Sequence, residues 1–361
     1  MRGSAAASLA AWRAVHAMLD DMTTMVEQTA ETELELVEGI RTLGRITALC
    51  AELSLDVDAE APWFFAMNSE ARYVGGPNPD GAYHLAIIDG RHRYVVSGVR
   101  NSSTYLGFQV LAGTGLTPRT MAAYVSDREL DVDPEGNFAF VLAATEPSTT
   151  ELQGRRWVPL PEDASAVVVR QYVADPVRER LSELAIGPLD RLGPLARVTD
   201  EALAEQFTAM AWTIWKLATL HQTVKPELLE RPNELITAEA AELGAADTTP
   251  DNLYMIGSFR LTEREALVLE FVPPDTRYWS FTAENIWHEC IDVRRRRSSL
   301  TNASAAPSPD GTVRVVLAGR DPGCGNWIDT GGRHRGFVLL RWLDNPRPPT
   351  VSTTVVTLEE P

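Results

Sequence analysis

A chain of 361 residues, 44% hydrophobic and 23% charged, has the composition of an ordinary globular protein and the length for two β domains with helical additions. Its formal net charge of −17 opposes duplex nucleic acid and anionic membrane surfaces, both of which select clustered Lys and Arg, and no run approaches the roughly 20 apolar residues that span a bilayer. Three scattered cysteines, Cys50, Cys290 and Cys324, make no CxxC pair, which argues against a structural zinc and for reduced thiols in a cytoplasmic protein.

Residues 1–60 read as a helical pair. Trp12, Val15, Leu19, Met22 and Val26 share one face of the first helix, and Leu36, Ile40, Leu43, Ile46 and Leu53 share one face of the second. Residues 1–19 lack the compact apolar run and cleavage site of a leader peptide. Ala61-Pro62-Trp63 closes the pair, and the turn cluster Gly75-Gly76-Pro77-Asn78-Pro79-Asp80-Gly81 opens a first β unit assigned to residues 61–176. Runs rich in β-branched and aromatic residues lie at 84–88, 94–99, 105–111 and 138–143. Short, regularly spaced strands of this kind favour a sandwich or jelly roll over a βαβ sheet.

From 177 to 250 the period changes and a helical segment is expected. Leu203, Phe207, Met210, Ile214, Ala218 and His221 follow steps of three and four, which predicts a helix from Asp200, able to cap its first turn, to about Gln222. A second helix is expected over 233–243, between Pro232 and Gly244. A second β unit, 251–361, has its clearest strands at 266–272, 277–282, 313–317 and 336–342, with 350–358 as a final one.

The two β units repeat one pattern. Residues 133–147 lie on 308–322 without a gap, so that Pro, an acidic residue, Gly, an alternating apolar run, Leu-Ala and acidic-Pro coincide. Arg93-Tyr94 falls on Arg277-Tyr278, Arg156-Trp157 on Asn326-Trp327, and Val169-Arg170 on Leu340-Arg341. The expected fold is mainly β with helical additions (α+β): two tandem jelly-roll-like units joined by a helical segment and preceded by the helical pair.

Several familiar motifs begin and then break. His288-Glu289-Cys290-Ile291-Asp292 opens like HExxH but ends on Asp in a run that reads as strand. Asp131-Val132-Asp133-Pro134-Glu135-Gly136 opens like a calcium loop, yet its twelfth position is Leu142. Gly323-Cys324-Gly325 lacks the third glycine of a dinucleotide cradle. The six histidines form no HxH pair, and the two lysines, Lys216 and Lys225, lie outside the β units. No metal and no cofactor are assigned.

What remains is 277–289, Arg-Tyr-Trp-Ser-Phe-Thr-Ala-Glu-Asn-Ile-Trp-His-Glu, followed by Ser299-Leu300-Thr301-Asn302 and by Asp321-Pro322-Gly323-Cys324-Gly325-Asn326-Trp327-Ile328-Asp329-Thr330. Over about 250–345 these segments resemble domain-of-unknown-function family 1214, whose C-terminal jelly roll carries a Tyr-Trp strand, an Asn-x-Trp segment and an Asp-Pro-Gly-x-x-Asn-Trp-Leu-Asp-Thr motif. Ile328 replaces the Leu. The resemblance implies a fold, not an activity.

Aromatics here alternate with hydrogen-bonding groups. Tyr278, Asn285, Trp287, His288, Asn302, Asn326, Trp327, Asp329 and Arg341 are expected to line one amphipathic cavity for a small molecule. The competing reading gives the Asn and Asp side chains turn roles and the Trp rings core roles. His288 is the candidate general acid or base, with Glu289 or Asp292 to orient it; strand alternation would turn Glu289 to the other face and favour Asp292 or a distant acid. Tyr278 and Asp329 are the other catalytic candidates, Tyr278 as proton donor or orienter. Arg341 or Arg297 would hold an anion, and Asn285, Trp287, Asn302, Asn326 and Trp327 would bind the substrate. The expected function is a metal-independent lyase, isomerase or hydrolase acting on a small, largely hydrophobic metabolite. The alternative is a non-catalytic lipid- or sugar-binding or assembly protein, and a homo-oligomer is compatible with either.

Overall fold

The computed structural model describes residues 6–55, 57–113, 119–190, 198–223, 226–238, 248–344 and 347–359. The turn clusters punctuate β1 (Phe65–Ala66), β2 (Gly81–Ile87), β3 (Tyr94–Val99), β4 (Tyr105–Ala112), β5 (Thr120–Ser126), β6 (Asn137–Ala143), β7 (Arg156–Pro159), β8 (Ala164–Tyr172) and β9 (Glu183–Pro188). These pair as β1-β2-β8-β4-β5 and β7-β6-β3-β9. The second series is β10 (Leu235–Ala238), β11 (Asn252–Arg260), β12 (Glu265–Phe271), β13 (Trp279–Glu284), β14 (Ser299–Thr301), β15 (Val313–Ala318), β16 (Trp327–Asp329), β17 (Arg335–Leu343) and β18 (Ser352–Thr357). Its sheets are β10-β11-β17-β13-β14 and β16-β15-β12-β18. Adding nine to each strand number of the first series reproduces the second, so the duplication read from the sequence is a duplication of topology. The protein is mainly β with helical additions.

Details repeat as well. β6–β7 and β15–β16 are parallel pairs with Trp157 opposite Val141 and Trp327 opposite Val316. Trp157 Nε1 donates to Ala143 O at 2.9 Å and Trp327 Nε1 to Ala318 O at 3.0 Å. Arg170 lies 5.9 Å over the ring of Tyr83, and Arg341 lies 5.9 Å over that of Tyr254. Pro79-Asp80-x-x-Tyr83 recurs as Pro250-Asp251-x-x-Tyr254. Topology corrects one expected pairing: Arg93-Tyr94 leads into β3, the counterpart of β12, so Tyr278 corresponds to Tyr105 at the head of β4. On that register Leu106, Phe108 and Val110 match Trp279, Phe281 and Ala283, the residues each strand sends into its own core. Since both tryptophans make the same bond, Trp157→Phe and Trp327→Phe are each expected to lower stability by about 1 kcal/mol, readable as matched shifts in denaturant midpoint.

Packing divides the chain into two interleaved units. One takes residues through Ser69, Ala82–Gln171 and Arg180–Ala218; the other takes Glu70–Gly81, Tyr172–Glu179 and residues from Thr219 onward. In the first, α1 (Ala6–Thr29) and α2 (Glu33–Leu55) are helical as expected and bury Val15, Met22, Val26, Leu43 and Ile46, but Trp12, Leu36 and Ile40 of the expected stripes are exposed and Glu35, Glu38, Leu49 and Cys50 take the buried face of α2. A four-residue α3 (Thr149–Leu152) is closed by the Ser148 and Glu151 capping box. α4 (Asp200–Ala218) packs on α1 and α2, so this part of the 177–250 segment completes a helical layer. Asp200 does not cap its own helix. Its carboxylate accepts from the backbone N–H of Ala7 and Ser8 at 3.1 Å each, at the start of α1, while Thr199 Oγ1 accepts from Ala202 N in α4.

The 177–250 segment is also less helical than its periodicity predicts. It contains β9 and β10, and after α5 (Leu220–Thr223) and α6 (Glu227–Glu230) the expected helix at 233–243 is replaced by a turn and strand β10. Asn233 takes φ of 69° and exchanges hydrogen bonds with Ser258, Arg260 and their neighbourhood, which starts β10 against the edge of β11. Pairing a sheet edge through Leu235, Ile236 and Thr237 outweighs a weak helical period. Residues 239–247 of that expected helix lie outside the described residues. Among the described residues no helix is long and apolar enough to cross a membrane.

Candidate functional site

Strand alternation gives the five-stranded sheet of the second unit two different faces. Trp279, Phe281 and Ala283 of β13 and Val338, Leu340 and Trp342 of β17 enter the core between the sheets. The intervening residues, Ser280, Thr282 and Glu284 on β13 and Arg341 on β17, point the other way, yet each is at most 1% exposed. A polar stripe is thus sealed from water. The cover is Glu70–Gly81, which belongs to the same unit. Gly76 N donates to His288 O and Arg341 Nη2 to Gly76 O, both at 2.9 Å; Cys290 N donates to Tyr73 O at 3.1 Å and its thiol to Pro77 O at 3.2 Å. Asn78 Nδ2 donates to the Tyr278 hydroxyl at 2.5 Å.

His288 sits in a tight turn after β13 rather than in a strand. Asn285 Oδ1 accepts from Trp287 N at 3.0 Å and Glu289 N at 3.1 Å, a local bond that competes with continuing the ladder. The turn puts His288 at φ of 54°, a left-handed conformation uncommon for residues other than glycine. It also changes the expected partner. Nδ1 lies 2.9 Å from Glu284 Oε2, so Glu284, four residues back on β13, orients the ring in place of Asp292 or Glu289. Phe337 of β17 stacks on the imidazole at 3.9 Å and 15°. With Glu284 ionised, the proton of the neutral ring belongs on Nδ1 and a lone pair on Nε2. Among the described residues, the buried atoms His288 Nε2 and Glu284 Oε1 have no hydrogen-bond partner.

Around this pair the charges are uneven. Arg341 donates through Nη1 to Thr282 Oγ1 at 3.1 Å as well as to Gly76 O. Burial pushes the Asp80 carboxyl up to about 6, against the opposing pull of Arg341 and of the Ser299 hydroxyl. Burial, and then the Asp80 charge, push the Tyr278 phenol well above its ordinary value, so it stays protonated; its ring stacks on Tyr172 at 5.0 Å. The Cys290 thiol is raised for the same first reason and then by Glu284. Trp287 meets His221 edge-on at 5.2 Å.

The structure therefore brings Tyr278, Asn285, Trp287, His288 and Arg341 to one buried region and gives the other candidates backbone work elsewhere. Asn326 accepts from Ala306 N and donates to Ala306 O and Arg314 O. Trp327 makes the bond that its counterpart Trp157 makes. Asp329 pairs with Arg296 at 2.6 Å and accepts from Gly331 N. Asn302 bonds the backbone of Trp279 and Arg277, and Arg297 donates to Gly325 O and Ser304 O. Sequence reasoning missed Glu284, Asp80, Asn78 and Cys290. A signal for Glu284 was present: in Tyr278-Trp279-Ser280-Phe281-Thr282-Ala283-Glu284 every second residue is polar, and the register that pairs Tyr278 with Tyr105 sets Glu284 on Leu111.

A family model described as a protein of unknown function, DUF1214, covers residues 258–347. Residues 258–347 match DUF1214. The DUF1214 segment holds Glu284, His288, Cys290 and Arg341, while Asn78 and Asp80 come from the segment that covers it. The whole chain is similar to an uncharacterised protein from Burkholderia cenocepacia, at 28% identity and a TM-score of 0.91 over 98% of this chain and 99% of that one. It shares a fold with the VPA0106 protein from Vibrio parahaemolyticus, at 12% identity and a TM-score of 0.50 over 90% of this chain and 100% of that one. No curated protein matches the chain.

Proposed function

We propose that the second unit is a cytoplasmic acid–base enzyme, a lyase, isomerase or hydrolase, acting on a small and largely hydrophobic metabolite. The observation that carries this reading is the Glu284–His288 pair: a ring fixed at Nδ1 by a carboxylate and at its face by Phe337, with Nε2 unspent. Such a ring takes a substrate proton at Nε2 while the carboxylate stabilises the imidazolium that forms. The backbone of His288, held at positive φ, is the kind of local strain that clusters at working sites. Tyr278, protonated and oriented by Asn78, is the second proton-handling group. Trp287, Tyr254 and Phe337 supply apolar contact. Arg341 acts differently from the sequence expectation. Its donors go to Thr282 and Gly76, so its charge balances buried carboxylates instead of holding a substrate anion.

The test is consumption of a metabolite from a small-molecule cell extract, followed by mass spectrometry, with wild type and His288→Gln. Wild type is expected to deplete at least one compound, and the variant to do so about 10²–10⁴-fold more slowly with an unchanged melting profile. Equal depletion by both proteins would remove His288 from the chemistry; no depletion by wild type would leave the lipid- or sugar-binding reading.

A further inference from the structure

We infer that the site selects a small cationic amine, whose ammonium group is held by the free oxygen of Glu284 beside His288; this names the substrate class of the acid–base reading and rests on it. Among the described residues three buried acceptor atoms of the region lack partners, Glu284 Oε1, His288 Nε2 and Asp80 Oδ2, as does the Ser280 hydroxyl. All three are acceptors once the histidine proton sits on Nδ1. The Ser280 hydroxyl offers one donor, too few for all three, and the other nearby donors are engaged, Arg341 with Thr282 and Gly76, Asn78 with Tyr278, and the Cys290 thiol with Pro77. Native interiors rarely leave such a surplus, and an ammonium group carries three donors and no acceptor. An anion would bring more acceptors to a place that has too many.

Charge gives the same answer. Glu284 and Glu289 are 0% and 1% exposed, Asp80 is half-buried with its Oδ2 enclosed, and Arg341 is the buried guanidinium of the region. Gly76 links two of them, since its N–H donates to the carbonyl of His288, the partner of Glu284, and its carbonyl accepts from Arg341. Gly76 lies directly over the carboxylate: a Cβ built on it would be in van der Waals contact with both Glu284 oxygens, at 3.7 and 3.8 Å.

The experiment compares n-butylammonium, n-butanol and n-butyrate at matched ionic strength on the full chain. Carbethoxylation of His288 by diethyl pyrocarbonate, read by peptide mass spectrometry, is expected to slow about 10-fold when n-butylammonium reaches about nine times its Kd, and to be unaffected by n-butanol or n-butyrate. Glu284→Gln should abolish the protection. Where the reagent does not reach His288, the unfolding temperature of wild type decides: a rise with n-butylammonium alone supports the inference. Protection or a temperature rise with n-butyrate, or neither effect with n-butylammonium, overturns it. The His288→Gln depletion measurement is read separately, so an active enzyme indifferent to amines sinks this inference alone, and an amine binder without turnover sinks the enzyme alone.

Discussion

Replacing Arg341 by methionine is expected to destabilise the second unit by about 3–5 kcal/mol, because removing one partner of a buried charge set strands the others. The substitution keeps the aliphatic length but leaves Gly76 O without its donor at 2.9 Å, Thr282 without its bond at 3.1 Å, and Asp80 without the cation that opposes its desolvation. Guanidinium unfolding of the full chain measures this, with the transitions of the two units fitted separately. Adding Asp80→Asn to Arg341→Met should return part of the loss, since the stranded charge is then gone. A loss below about 1 kcal/mol, or no recovery in the double variant, would show that the guanidinium is not balancing Asp80.

The pH dependence of Asp80 has the second large effect, and its sign is opposite to that of a paired surface carboxylate. Its folded value is raised from 3.8 to about 6, so the folded state holds the proton more tightly than the unfolded state. The stability that this carboxyl contributes is then complete below about 3.8 and disappears as pH rises through about 6. A difference of about two units at about 1.4 kcal/mol each corresponds to about 3 kcal/mol. Asp80→Asn should therefore match wild type near pH 3.5 and exceed its stability by up to about 3 kcal/mol at pH 7.5. Subtracting one unfolding series from the other cancels the remaining carboxylates. A flat difference would mean that Asp80 is hydrated in the folded state.

The strands were legible because each carries its own period and its own punctuation. Residues 94–99 and 138–143 alternate between turn clusters, and the gapless match of 133–147 on 308–322 was enough to recover a repeat that extends to hydrogen bonds such as those of Trp157 and Trp327. What periodicity could not show was pairing that depends on a free edge, as at Asn233–Ala238, where β11 converts a helix-like stretch into β10. The candidate site divided along the same line. His288 and Tyr278 stood out by residue type, but Asn326 and Asp329 stood out for the same reason and serve turns. Glu284 was overlooked because a carboxylate in a strand is ordinarily a solvated one; its meaning depends on Glu70–Gly81 lying over it, which no local pattern around residue 284 encodes. Asp292 looked like the partner of His288 only while the segment was read as extended. The turn set by Asn285 swings the ring back toward β13.

The cover over the polar stripe also imposes a schedule on biosynthesis. Asn78 must wait 200 residues for Tyr278, and Gly76 must wait 265 for Arg341. At translation rates of about 5–20 residues per second, the first of those intervals alone lasts roughly 10–40 s. Throughout it Glu70–Gly81 lacks Tyr278, His288, Cys290 and Arg341, its later partners, and the histidine and the glutamates that it will seal do not yet exist. Closure of the stripe is therefore a late event in the life of the nascent chain, and a ribosome stalled before residue 341 should carry Glu70–Gly81 open to limited proteolysis.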